Sequence, residues 1–236
     1  MPATTKPRRI GTKNLDRYPF LQSFSHDAET AEPGYYSVVL QESSILVELT
    51  STANAGIHRY TFPSGTPGRW IIFDVGYTIK YRGAAVSQIS IDSETQEVSG
   101  YVLNMGEMSS RFGGMTVYFS ALFSESFTQY GAWDDSGIFK DGKSFANGTE
   151  AGGYIGFPPS VGSAEMYVGI SFISVEQARE NVKSQLPSAT QSLSSFDLVK
   201  QQAQAQWEAL LGTVEIVNAG PLAQGDDTLT VFYINC

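Results

Sequence analysis

Apolar residues along much of the chain alternate with polar ones, the period of a strand with one buried face. Tyr36, Val38 and Leu40 alternate, and Ile45, Val47 and Leu49 alternate with Leu46, Glu48 and Thr50. Ser43-Ser44 joins these strands, and Ala53-Asn54-Ala55-Gly56 has the composition of a turn before a strand over Ile57–Phe62. The run Trp70-Ile71-Ile72-Phe73-Asp74-Val75 predicts a more deeply buried strand. Further strands are expected over Val86–Ile91, Val98–Leu103, Met115–Phe123 and Met166–Ile173. Many short strands with regular turn signals predict an antiparallel sandwich or barrel. Ser124 to Gly162, punctuated by glycines and ended by Pro158-Pro159, reads as mostly loop, either functional or a plain solvent-exposed excursion.

At Ser174 the period changes to that of a helix. Ser174 with Gln177 forms a capping-box pattern, and Ala178 and Val182 continue an apolar face until Pro187. A second helix is expected from Ser194 or Ser195, with Phe196, Val199, Ala203, Trp207 and Leu210 as its stripe and Gly212 as its stop. Thr213–Val217 reads as a short strand, and Thr228–Ile234 as the start of an unfinished element. There are no internal repeats.

Composition narrows the function classes. The chain is 42% hydrophobic and only 17% charged, against roughly 25% in an average protein, so it is not disordered as a whole. No stretch approaches the ~20 apolar residues of a membrane helix. Fifteen Lys and Arg against 24 Asp and Glu leave a net charge of -9, which disfavours nucleic acid as a partner. Cys236 is the single cysteine, so no internal disulfide forms. Met1 to Asn14 carries four basic residues with no apolar stretch behind them, so no secretory signal is recognised. The chain is expected to stay where it is made unless residues precede Met1.

Candidate chemistry is thin. His26 and His58 are the only histidines, and no zinc spacing, nucleophile elbow, P-loop or dinucleotide fingerprint occurs. Paired carboxylates occur as Glu29 with Glu32, Asp134-Asp135 and Asp226-Asp227. Glycoside hydrolysis uses two carboxyl groups across the scissile bond, but adjacent loop acids are more often solvated turn formers. Trp133 in Gly-Ala-Trp-Asp-Asp would stack on a sugar if exposed, or anchor the loop if buried. Asn147-Gly148-Thr149 is an acceptor sequon for N-glycosylation in a secretory chain.

Several blocks, taken in order, resemble one family. Phe24-Ser25-His26-Asp27-Ala28-Glu29 is followed by Pro33-Gly34-Tyr35-Tyr36-Ser37-Val38, Glu48-Leu49-Thr50-Ser51-Thr52 and Gly56-Ile57-His58-Arg59-Tyr60-Thr61-Phe62-Pro63. Ile71-Ile72-Phe73-Asp74-Val75-Gly76, Val117-Tyr118-Phe119, Phe127 and Tyr130-Gly131 come next. Val168-Gly169-Ile170-Ser171-Phe172-Ile173-Ser174-Val175-Glu176-Gln177-Ala178, Phe196-Asp197, Ala203, Trp207 and Leu211-Gly212 complete the set. Together they resemble glycoside hydrolase family 92, largely α-mannosidases.

The resemblance implies a mainly β fold, an antiparallel β-sandwich of supersandwich type with two C-terminal linking helices. It implies an irregular segment at 1–23, a sandwich at 24–173, linking helices and a short strand at 174–227, and the start of a helical barrel at 228–236. In the family an (α/α)₆ barrel supplies the acid, the base and most calcium ligands for inverting hydrolysis of α-mannosides, here expected to be α-1,2-linked and of N-glycan type. The family's first strands and its substrate loop are expected before Met1. No catalytic, metal or sugar-binding residue is therefore transferred to this chain. His26 falls in a structural block, and His58-Arg59 matches a pattern explained by packing and hydrogen bonding. Family members are mostly secreted or periplasmic. The alternatives are a stand-alone carbohydrate-binding module, whose binding would depend on Trp133, and a gene fragment without independent function.

Overall fold

The computed structural model describes residues 1–7, 21–78, 84–106, 108–187 and 194–213. The strands are β1 (Pro2–Ala3), β2 (Glu29–Glu32), β3 (Tyr35–Val39), β4 (Leu46–Ser51), β5 (Ala55–Thr61), β6 (Trp70–Asp74) and β7 (Ala84–Asp92). They continue with β8 (Glu97–Asn104), β9 (Met115–Phe123), β10 (Gln129–Trp133), β11 (Lys140–Asp141), β12 (Phe145–Gly148), β13 (Gly152–Gly156) and β14 (Ser163–Ser171). Helices α1 (Val175–Gln185) and α2 (Ser195–Leu211) follow. The strands pair antiparallel in a nine-stranded sheet, β12-β7-β8-β9-β14-β5-β4-β3-β2, and a five-stranded sheet, β1-β6-β13-β10-β11. This is the expected mainly β sandwich with two helices behind it.

The main core lies between the sheets. Ile71, Ala132 and Ile155 of the small sheet join Val47, Tyr60, Ile89, Val98, Ala121 and Met166 of the large one. The small sheet is buried on its other face as well, through Ala3, Trp70, Ile72, Trp133 and Tyr154. Burial on both faces is why Trp70–Phe73 reads as a continuous apolar run instead of an alternation.

Most residues from Ser124 to Gly162 do lie outside strands, but the stretch is more than a solvent-exposed excursion. It supplies β10 to β13, including two strands of the small sheet's centre. Their glycines disguise them, because three of these make room for an aromatic ring directly across the pair. A Cβ on Gly152 would lie 2.0 Å from the Trp133 ring, one on Gly156 2.3 Å from Trp70, and one on Gly131 2.4 Å from the Tyr154 hydroxyl. Glycine inside a strand here marks close approach, not a turn. The turn expected at Ala53–Gly56 is also tighter, since Ala55 and Gly56 already belong to β5. Within the segment read as irregular, Pro2–Ala3 pairs with Trp70 and Ile71.

The helices begin where their caps predict. Ser174 accepts from the Gln177 amide at 3.1 Å, and Ser194 from that of Asp197 at 3.2 Å. Both helices pack on the outer face of the large sheet, α1 over β14, β9, β5 and the margin of β8, α2 over β3, β4 and β5. Gly169 lets α1 sit close, since a Cβ there would be 1.9 Å from the Ala178 carbonyl oxygen. Gly34 does the same for α2 at Ala203, and its φ of 81° also requires glycine. The strand expected at Thr213–Val217 and the element at Thr228–Ile234 lie outside the described residues beyond Thr213. Among the described residues no helix is long and apolar enough to cross a membrane.

Candidate functional site

The carboxylates singled out from the sequence are held by local partners. Asp134 binds Lys143 at 2.7 Å and Ser136 at 2.6 Å, which hold it well below the usual carboxylate range. Asp135 accepts the Thr149 and Glu150 amides at 2.7 and 2.8 Å, tying two loops together. Glu29 accepts from Tyr36 at 2.6 Å and meets His26 at 2.5 Å, and both bonds lower its pKa. Glu32 reaches Gln204 of α2. Asp226-Asp227 lies outside the described residues.

Trp133 is 1% exposed, with its ring 4.4 Å from that of Phe139. It anchors the loop and offers no platform to a sugar, which removes the basis of the binding-module reading. Calcium takes six to eight oxygen ligands. Among the described residues no three His, Cys, Asp or Glu side chains converge.

Arg59 and His58 both have partners within the sandwich. Arg59 makes two bonds to Glu48, at 2.6 and 2.8 Å, one to Asp197 at 3.0 Å, and stacks on Phe196 at 4.2 Å. This network fastens α2 to the sheet. It lowers the pKa of Glu48, chiefly through Arg59. Burial works against ionised Asp197, but Ser194 and Arg59 together outweigh it. His58 meets the Tyr60 hydroxyl at 2.8 Å on the inner face, and burial brings its pKa down to about 4, with the positive chain terminus adding to the shift. Sequence reading missed the network, because only the folded sheet places Glu48 opposite Arg59.

One margin of the large sheet is open and apolar. The β8–β9 hairpin leaves the sheet beyond the Asn104–Met115 pair and exposes Met108 and Phe112, the latter 87%. β14 leaves the same end beyond the Ser171–Tyr118 pair, and Phe172 and Ile173 emerge beside the start of β9, Phe172 62% exposed. Near them is a shallow hollow of about 290 Å³ lined by Ser51, Asn54, Gly56, His58, Val168 and Ile170. It lacks a charged group to orient a substrate. On α2, Phe196, Val199 and Ala203 are buried, but Trp207 is 48% exposed, so the helix continues its apolar stripe past the sheet it covers.

The model of the glycosyl hydrolase family 92 N-terminal domain matches residues 1–171. The chain belongs to glycoside hydrolase family 92. A family 92 glycosyl hydrolase of known structure superposes with a TM-score of 0.78 at 25% identity, over 90% of this chain and 28% of its own. A family 92 α-mannosidase of Bacteroides thetaiotaomicron superposes with a TM-score of 0.74 at 25% identity, over 91% of this chain and 28% of that one. An uncharacterized secreted glycosidase of Arthroderma benhamiae is 25% identical over 213 residues, which are 82% of this chain and 26% of the relative. This family 92 chain thus spans about a quarter of the length of the relatives it matches.

Proposed function

We propose that this chain is the N-terminal β-sandwich part of a calcium-dependent inverting α-mannosidase acting on α-1,2-linked, N-glycan-type mannosides. Its role is to form one wall of the active site and to brace a C-terminal (α/α)₆ barrel that carries the acid, the base and the calcium ligands. The observation behind this reading is the pattern of coverage: nearly all of this chain aligns with about a quarter of a family 92 enzyme.

The reading expects no α-mannosidase turnover from the isolated protein, since loss of general acid–base groups alone costs about 10²–10⁴-fold. Purified protein is assayed on an activated mannoside and on α-1,2-mannobiose, with calcium and with EDTA. Calcium-dependent release of mannose by this chain would overturn the reading. A chimera in which residues 24–173 replace the matching part of the Bacteroides enzyme should keep calcium-dependent mannosidase activity. A folded chimera without activity would remove the supporting role.

A further inference from the structure

We infer that Asn147 is an N-glycan attachment site whose first sugar lies over the ring of Phe145, for a chain entering a eukaryotic secretory route. Asn147-Gly148-Thr149 is the only Asn-x-Ser/Thr tripeptide in the sequence. The fold places it on β12, the edge strand of the large sheet, paired on one side with β7. In a strand, alternate residues share a face. Ala146 turns inward and is 2% exposed, so Phe145 and Asn147 both turn outward, and both are exposed.

The surroundings favour a sugar on that face. The Cα atoms of residues i and i+2 in a strand are about 7 Å apart, so an N-acetylglucosamine on Asn147 reaches back over Phe145. The Phe145 ring, 47% exposed, offers an apolar face to the C–H side of the sugar ring. Across the register stand Ser90 and Gln88, both half-buried and polar, with room above them because the helices stack on β3–β5, β14, β9 and the margin of β8. Thr149, whose hydroxyl the transfer enzyme must read, is exposed; its amide is held by Asp135, and its hydroxyl donates to the same carboxylate oxygen at 3.3 Å, a long bond that the enzyme must replace. A glycan here also shields a strand edge that no described strand pairs with.

In the transfer, the Asn147 side-chain nitrogen attacks C1 of the first N-acetylglucosamine of a lipid-diphosphate-linked oligosaccharide. The N–C1 bond forms, the bond from C1 to the phosphate oxygen breaks, the lipid diphosphate leaves with that electron pair, and the amide gives one proton to a base of the transferase.

The full chain is secreted from yeast behind a signal peptide, and in parallel translated with microsomes, which reads the modification without secretion. The expected result is a single glycan removed by peptide N-glycosidase, which converts Asn147 to Asp, and absent from Asn147→Gln and Thr149→Ala. An unmodified Asn147 in both systems would overturn the site. For stacking, thermal midpoints are compared among the wild type, Phe145→Ala, Asn147→Gln and the double variant. The glycan should raise the midpoint by about 2–4 °C with Phe145 present and leave it unchanged with Ala. An equal gain in both backgrounds would overturn the contact with Phe145 while leaving the attachment site intact.

Discussion

The outer face of the large sheet has two halves with the same strand pattern and opposite surroundings. Under the helices, polar residues are buried and paired: Glu48 with Arg59, Glu97 with Ser120 and Arg179, and Tyr167 with Glu165. On β7 and β12 the equivalent positions, Gln88, Ser90 and Asn147, keep contact with water. A buried charge without its partner is costly, so the covered half needs tertiary contacts that the open half does not. Alternation alone distinguishes the two faces of a strand, not the cover above it.

The sharpest break in this comparison is Phe196→Ala. Phe196 is fully buried between Tyr35 and Arg59, and truncation should cost about 3–5 kcal/mol, measured by denaturant unfolding. A loss below about 1 kcal/mol would mean that α2 contributes little to the covered half. Next, Gly169→Ala forces a methyl group onto the Ala178 carbonyl and should cost up to about 3 kcal/mol. Gly162→Ala, with nothing within 4 Å, should change stability by no more than about 0.5 kcal/mol.

Acid probes the inner face separately. The folded pKa of His58 is about 4 against 6.5 ordinarily, so as pH falls the unfolded chain takes up its proton first. Stability from this group is complete above pH 6.5 and is lost between 6.5 and about 4, by at most about 3 kcal/mol. His58→Gln should flatten that slope in a pH series of unfolding midpoints, and an unchanged slope would assign it to other groups. Glu48, with its lowered pKa, adds acid sensitivity only below its ordinary value of 4.5. The smallest effect is expected from Trp207→Ala: within about 0.5 kcal/mol, because the ring is 48% exposed. A larger loss would show that this end of α2 is not the open margin described.

The alternation from Tyr36 to Phe123 and the change of period at Ser174 were legible because each reports a local geometry, two residues per strand repeat or 3.6 per helix turn. The caps at Ser174 and Ser194 were legible for the same reason. β10 and β13 were not, because Gly131, Gly152 and Gly156 are chosen for the aromatic rings opposite them, and those rings come from other parts of the chain. For the candidate site, the order of residues was enough to show the family resemblance, the acceptor tripeptide at Asn147 and the lack of a known catalytic motif. Tertiary structure alone decided that Trp133 is an anchor, that Asp134 and Asp135 are spent on Lys143 and two amides, and that Phe145 shares an open face with Asn147. Residue type and spacing specify what a segment can form locally, whereas burial and partner choice depend on which distant strand or helix lies opposite.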